Sequence, residues 1–259
     1  MSNYEWNVYS NHIIDYVNAC EEFVADDSKF ENFKQDSRYK VILEHISKEE
    51  SDLFISEMKN VDSLTKKQLK EFRENDLYGN PELYEYEFFG NMSPSTIRYI
   101  KNTLDIFNFV GNKDIKNIVE IGGGYGGLCK TMNVIFDYDN YVLLDLPEAK
   151  KLSKKYTDKF SKLNGKVLQL SLDELDEIEN IDLVISNYAF SECSYSAQMK
   201  YYDDVISNSE YFYMVYNNIT PDNMNSNNFF DFASRKFDII TEQEVRPSHT
   251  NYIYYATRK

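Results

Sequence analysis

Residues 117–146 read NIVEIGGGYGGLCKTMNVIFDYDNYVLLDL, and the order of their parts decides the fold. NIVEI and YVLLDL are short apolar runs of the kind buried on both faces of a parallel sheet. Between them lie a glycine-rich turn and a helix marked by Leu128, Met132, Ile135 and Phe136. The glycines fit ExGxGxG through Glu120, Gly122, Gly124 and Gly126, and equally GxGxxG through Gly122, Gly124 and Gly127. In either pattern they adopt backbone angles that other residues avoid, and they let a ligand approach the turn and the helix N-terminus. The glycines alone therefore leave a dinucleotide and a methyl donor both open.

Two acids separate these readings. Glu120 stands two residues before the first glycine, where dinucleotide folds place an apolar residue. A carboxylate there suits the cationic methionine end of S-adenosylmethionine, directly or through water, and the bland alternative is a solvated loop acid. Asp145 ends the second strand twenty-three residues after Gly122, the spacing at which an acid accepts hydrogen bonds from both ribose hydroxyls. S-adenosylmethionine is thus the expected cofactor, with S-adenosylhomocysteine as product. Beyond the third strand, Ser171, Leu172 and Asp173 fall where chain atoms border an adenine, and equally where a helix cap would fall.

Working outward, short apolar strands continue through KVLQL, IDLVISN and YFYMVYNN, separated by helical segments. The chain ends with FDIITEQEV, a short break at RPSHT, and NYIYYATRK, which read as two strands of a hairpin. An α/β fold follows: a Rossmann-like, mainly parallel seven-stranded sheet with an antiparallel final strand. Upstream, Ser93-Pro94 reads as an N-cap with proline at the first helical position. Ile97, Ile100, Leu104 and Phe107 then form an apolar stripe expected to pack on the sheet domain. Residues 1–92 show helical periodicity without alternating strand character, which predicts an N-terminal helical lobe, a lid or a dimerisation surface, ahead of a catalytic domain over 93–259. The lysines at 150, 151, 154, 155, 159 and 162 read as a solvated helix face, with an anion site as the lesser alternative.

With 259 residues, 42% hydrophobic and 27% charged, the chain has the composition of a folded globular protein. Its net charge of -15 opposes a polyphosphate substrate, so nucleic acid is not expected as a partner. Three cysteines without CxxC spacing argue against disulfides and structural zinc. No signal peptide and no stretch of about 18 apolar residues is present, so a cytoplasmic location without a membrane span is expected.

The acceptor is expected beyond the carboxyl ends of the parallel strands, where the fourth-strand segment Ser186-Asn187-Tyr188-Ala189-Phe190-Ser191-Glu192 ends. Asn187 is placed at the cofactor and Tyr188 at the acceptor. This segment has a polar start but lacks the prolines of the (D/N/S)PP(Y/F) motif, which disfavours an N-methyltransferase of that type. The final hairpin returns to the same edge and brings His249 and Asn251 with it. His249 is the first candidate base for an acceptor hydroxyl and Glu192 the second, while Asn251 orients the acceptor or His249, or serves only to enter the strand. The other two histidines, His12 and His45, are assigned packing or surface roles. With only Glu192 near Asn187, no metal is expected.

Four blocks, YGNPELYEYEFFGNMSPSTIRYI (78–100), IVEIGGGYGGL (118–128), YVLLDLPEAKKL (141–152) and IDLVISNYAFSE (181–192), together with His249 and Asn251, resemble the bacterial sugar O-methyltransferases of the NanM type. The resemblance covers roughly residues 78–256. It implies a class I methyltransferase fold, S-adenosylmethionine as donor, and a saccharide or nucleotide-sugar hydroxyl in capsule or surface-polysaccharide synthesis as acceptor. Pro94, Ser95, Thr96, Arg98 and Tyr99 match the block before the glycine loop, which implies that this helix borders the pocket. Arg98 would there hold a carboxylate or phosphate, or else form a structural ion pair. A homodimer through the N-terminal lobe is a further expectation.

Overall fold

A computed structural model describes residues 10–178, 180–217, 226–246 and 251–259. The N-terminal part comprises helices α1 (Ser10–Ala25), α2 (Asp27–Phe30), α3 (Ser37–Lys40), α4 (Lys48–Glu57) and α5 (Lys66–Arg73), then a ribbon of β1 (Tyr84–Tyr86) and β2 (Gly90–Met92). Helix α6 (Pro94–Val110) leads into β3 (Asn117–Ile121), α7 (Gly127–Ile135), β4 (Asn140–Leu144), α8 (Pro147–Thr157) and β5 (Val167–Leu170). The chain continues with β6 (Leu183–Asn187), α9 (Ala189–Glu192), α10 (Tyr195–Asp204), β7 (Tyr211–Asn217), α11 (Ser226–Ala233), β8 (Phe237–Gln243) and β9 (Asn251–Arg258).

The large sheet has the order β5-β4-β3-β6-β7-β9-β8. All pairs from β5 to β7 are parallel, and β9 runs antiparallel to both β7 and β8. The expected architecture, including the antiparallel final strand, is the one observed. β3 starts the sheet, β4 leaves to one side of it and β6 lies on the other, so the strand order reverses at β3, where open α/β sheets form a crevice. Register brings the strand ends level: Ile121 pairs with Leu144 on one side and Ser186 on the other. Gly122, Asp145 and Asn187 therefore emerge together at one edge.

The N-terminal region differs from its sequence reading in two ways. It contains the β1-β2 ribbon, whose three-residue strands are too short to show alternation. It also shares a core with the sheet, since Phe23, Phe30, Phe33 and Tyr39 pack in one cluster with Tyr125, Tyr141 and Tyr156. Lys34 is fully buried there, donating to the Asn75 carbonyl at 2.9 Å and lying 4.5 Å from the Tyr125 ring centre.

Helix α6 begins as expected: Ser93 Oγ accepts from the Thr96 N–H at 3.1 Å, with Pro94 in the first turn. Its stripe packs on the sheet domain through Val134 and Ile135 of α7, as expected, and on the N-terminal region as well. Ile97, Ile100 and Leu104 pack with Phe54, Phe72 and Met92 of the N-terminal region, whereas Ile106 and Val110 join the sheet core. Phe107 is 40% exposed and touches Phe136 edge-on. Apart from its last turns the helix is packed on both faces, so its buried polar residues find internal partners: Asn102 donates to Asn187 Oδ1 at 3.0 Å and Thr103 meets Thr131 at 3.2 Å. Several of the expected surface lysines instead stitch parts together. Lys155 donates to the carbonyls of Phe23 and Val24 at the end of α1, both at 3.0 Å. Among the described residues no helix is long and apolar enough to cross a membrane.

Candidate functional site

At the crevice lies a cavity of about 450 Å³, within the roughly 300–1,000 Å³ common for small-molecule sites. Its floor is the turn Gly122-Gly123-Gly124. Gly122 and Gly124 have φ of 78° and 55°, in the left-handed region that side chains disfavour. A Cβ on Gly122 would also lie 2.0 Å from the Ala189 Cβ, so the turn is closed to any larger residue.

Glu120 is the penultimate residue of β3, buried, and accepts a hydrogen bond from the Tyr141 hydroxyl at 2.8 Å. Burial pushes its carboxyl up to about 8, opposed by that hydrogen bond. Asp145 leaves β4 beside it. Its Oδ2 accepts from Gly124 N–H and its Oδ1 from Leu146 N–H, each at 2.7 Å. Burial raises its pKa to about 6 against the pull of those two N–H groups. Each oxygen keeps a second lone pair for a ligand.

The opposite wall comes from the end of β6 and from the last hairpin. Asn187 holds its Oδ1 on Asn102, while its buried Nδ2 has no partner among the described residues. Tyr188 has φ 69°, a strained conformation for an aromatic residue, and such strain concentrates at functional sites. Its hydroxyl donates a short hydrogen bond to Glu244, which also accepts from Asn251 Nδ2 at 2.6 Å. Glu192 accepts from Asn217 Nδ2 at 2.6 Å, and burial raises its pKa. Arg246 reaches back to Glu50 of α4 at 2.8 Å, tying the hairpin to the N-terminal region.

The fold is similar to that of solved methyltransferases. TrmK of M. capricolum, in complex with S-adenosyl-homocysteine, is 13% identical over 62% of this chain and 68% of its own, with a TM-score of 0.47. The mitomycin 7-O-methyltransferase MmcR is 12% identical over 64% of this chain and 56% of its own, with a TM-score of 0.48. An rRNA methylase from Streptococcus thermophilus is 10% identical over 60% and 95%, with a TM-score of 0.46. No family model matches the chain, and no curated protein matches it. At such identities the likeness extends to the fold alone.

Of the residues singled out from sequence, Glu120, Gly122, Gly124, Asp145, Asn187, Tyr188, Glu192, Arg98, Tyr99 and Asn251 all line this one cavity. Two do not. Gly126 caps α7 with φ 91° and faces Thr157, which gives it a part in turning the chain. Leu172 is buried among Leu170, Leu175 and Ile181, with Ser171 and Glu174 forming the capping box that was the alternative reading. His249 lies outside the described residues.

The sequence reading missed the contribution of the N-terminal region. Ile13, Tyr16, Val41, Ile42, Leu43 and His45 also line the cavity. His45, assigned to packing or surface, is among them. Leu43 lies over the turn, with its Cδ1 2.9 Å from where a Gly124 Cβ would stand. No local pattern distinguishes these residues from an ordinary apolar helix end, because only the return of the chain over the sheet edge gives them their place.

Proposed function

We propose that the chain is an S-adenosylmethionine-dependent methyltransferase that transfers a methyl group to a hydroxyl of a saccharide. One observation carries the cofactor part: two carboxylates at level strand ends, Glu120 and Asp145, bracket a turn without side chains inside a single cavity. Each retains capacity for a ligand that the described residues do not fill. Glu120 is desolvated with one hydrogen bond, and a cationic ammonium would restore its charge. Asp145 retains acceptor capacity for a ribose diol. When bound, the donor would supply an electrophilic methyl group on a sulfonium.

The remaining wall would hold the acceptor. Tyr188, Tyr99 and Asn251 offer aromatic faces and an amide, a surface suited to the ring and hydroxyls of a sugar. Methyl transfer to a hydroxyl requires that its proton leave as the carbon–oxygen bond forms. Glu192, oriented by Asn217 and raised in pKa, is one acceptor for that proton, and His249 is the other. The net charge of -15 favours an uncharged or carrier-linked saccharide over nucleic acid. The resemblance to the NanM type adds surface-polysaccharide synthesis to this reading, which also takes in a cytoplasmic location and pairing through the N-terminal lobe.

Calorimetry tests the donor. The protein should bind S-adenosylhomocysteine and not NAD, and Asp145→Ala should weaken binding by about 1.5–3 kcal/mol, the usual loss for hydrogen bonds to a charged group. Binding of NAD in preference would overturn the reading. Labelled donor offered with sugars and amines then tests the acceptor, and exclusive labelling of amines would defeat the hydroxyl assignment.

A further inference from the structure

Glu244 does not line the cavity, but it holds two residues that do. It is 5% exposed at the end of the last hairpin, where its N–H donates to the Asn251 carbonyl at 2.9 Å. Its carboxylate accepts from the Tyr188 hydroxyl and, at 2.6 Å, from Asn251 Nδ2. A carboxylate offers only lone pairs, so both partners must turn a proton toward it. The phenol has one proton, and with that proton on Glu244 the Tyr188 oxygen can only accept from anything else. The Asn251 amide is planar, so with Nδ2 on Glu244 its Oδ1 points away from that carboxylate and is left to accept. The Tyr188 ring is fixed besides by its backbone at φ 69° and by the Arg98 guanidinium 5.6 Å from its centre. One carboxylate behind the wall thus sets the hydrogen-bonding polarity of two groups on it.

The same wall carries a donor. Asn187 Nδ2 is buried without a partner among the described residues, while Oδ1 is held by Asn102. A ligand there gives protons to Tyr188 and Asn251 and takes one from Asn187. Hydroxyls do both. An ionised carboxylate or phosphate has no proton for the two oxygens, an ether or a methylated hydroxyl has none either, and an ammonium has no lone pair for Asn187. Tyr188 and Glu192 stand at the two ends of the one-turn helix α9, and side chains four residues apart on a helix lie about 5–6 Å apart at Cβ. A hydroxyl that gives its proton to Glu192 therefore has its neighbour on the same ring within reach of Tyr188.

We infer that Glu244 is a specificity-determining residue: it sets Tyr188 and Asn251 to receive the hydroxyl next to the one methylated, so that the acceptor presents a vicinal diol. This rests on the saccharide reading above. A diol already methylated at that neighbouring position is refused, and the chain adds one methyl group to each diol.

The test offers labelled donor with a panel of methyl hexosides and methyl 6-deoxyhexosides. For the sugar methylated fastest, kcat/KM is compared with that of its deoxy and O-methyl derivatives at each carbon next to the methylated one. The wild type should disfavour the derivatives at one such carbon by about 10-fold or more, the range for leaving a buried acceptor unpaired. A carboxamide at position 244 has one oxygen and a donating nitrogen, so Glu244→Gln must turn one of its two partners around, and the preference should fall toward parity. Adding Asn251→Asp moves the carboxylate to the other side of the same contact and should restore the preference. Thermal melts report folding, and where Glu244→Gln does not fold, Tyr188→Phe takes its place, because it removes the same accepting oxygen. A full preference in whichever of these two variants is used overturns the inference. So does a uniform loss of rate on all sugars with the preference kept, which is what a merely structural Glu244 would give, and so does a double variant that folds without regaining the preference. Wild-type protein that methylates sugars but tolerates every derivative overturns the inference and leaves the saccharide reading standing. Labelling of no sugar overturns that reading itself, and this inference with it.

Discussion

Glu120 stands inside the sheet's ligand edge with one hydrogen bond, from Tyr141, and burial raises its carboxyl from an ordinary 4.5 to about 8. Between those values the folded chain binds more protons than the unfolded one, so stability falls as pH rises through the window. Asp145, raised from 3.8 to about 6, adds to the fall at its acidic end. A donor ammonium favours the ionised carboxylate, so binding at pH 7 should release a proton, measurable by calorimetry in buffers of different ionisation enthalpy. Glu120→Gln should abolish that release and flatten the decline of Tm between about pH 6 and 8. An unchanged slope would assign the titration elsewhere. Gly122 allows a steric test at the same scale. Its φ of 78° and the Ala189 Cβ at 2.0 Å leave no room for a methyl group, so Gly122→Ala should cost about 1–3 kcal/mol in urea denaturation and remove donor binding. These residues were readable from spacing, because a glycine turn and its flanking acids are contiguous with the strands that carry them. Glu244, His45 and the positive φ of Tyr188 were not, since each acquires its place from chain far away in sequence.

At the scale of elements, the strands and α6 were legible because their signals are local: apolar runs for β3, β4, β6 and β7, and Ser93-Pro94 for the start of the helix. The direction of the α6 stripe was legible only in part. Ile97, Ile100 and Leu104 announce a buried face, but periodicity does not name everything that buries it, and the partners proved to include Phe54, Phe72 and Met92 besides Val134 and Ile135 of α7. The cap has more at stake than a surface cap would. Ser93 Oγ donates to Asp76 Oδ1 at 2.7 Å besides accepting from Thr96, and Asp76 lies 3.6 Å from the buried Lys34 ammonium. Ser93→Ala should therefore destabilise the chain by about 2 kcal/mol, the upper end for an N-cap. Because α6 also presents Arg98 and Tyr99 to the cavity, donor affinity should fall in the same variant. A loss of stability without change in affinity would show that the helix start and the site are independent.

For the whole molecule, the division at residue 92 meets a core that runs across it. Tyr16, Phe23, Phe30, Phe33 and Tyr39 share one cluster with Tyr125, Leu128, Tyr141 and Tyr156, and Ile13, Leu43 and His45 close the cavity from the same side. Aromatic side chains of this size bury about 150–250 Å² each, so removing the first 92 residues would strip apolar cover from α7 and α8 and open the glycine turn to water. Three polar ties would go with it: Lys155 to the Phe23 carbonyl, Tyr156 to Asn75 Oδ1 at 2.7 Å, and Arg246 to Glu50. The N-terminal region is thus the second wall of one body, and residues 93–259 alone should lack a cooperative thermal transition and bind S-adenosylhomocysteine weakly or not at all. A fragment that melts cooperatively and binds with full affinity would instead make the region a separable lid, with the shared aromatic cluster contributing little.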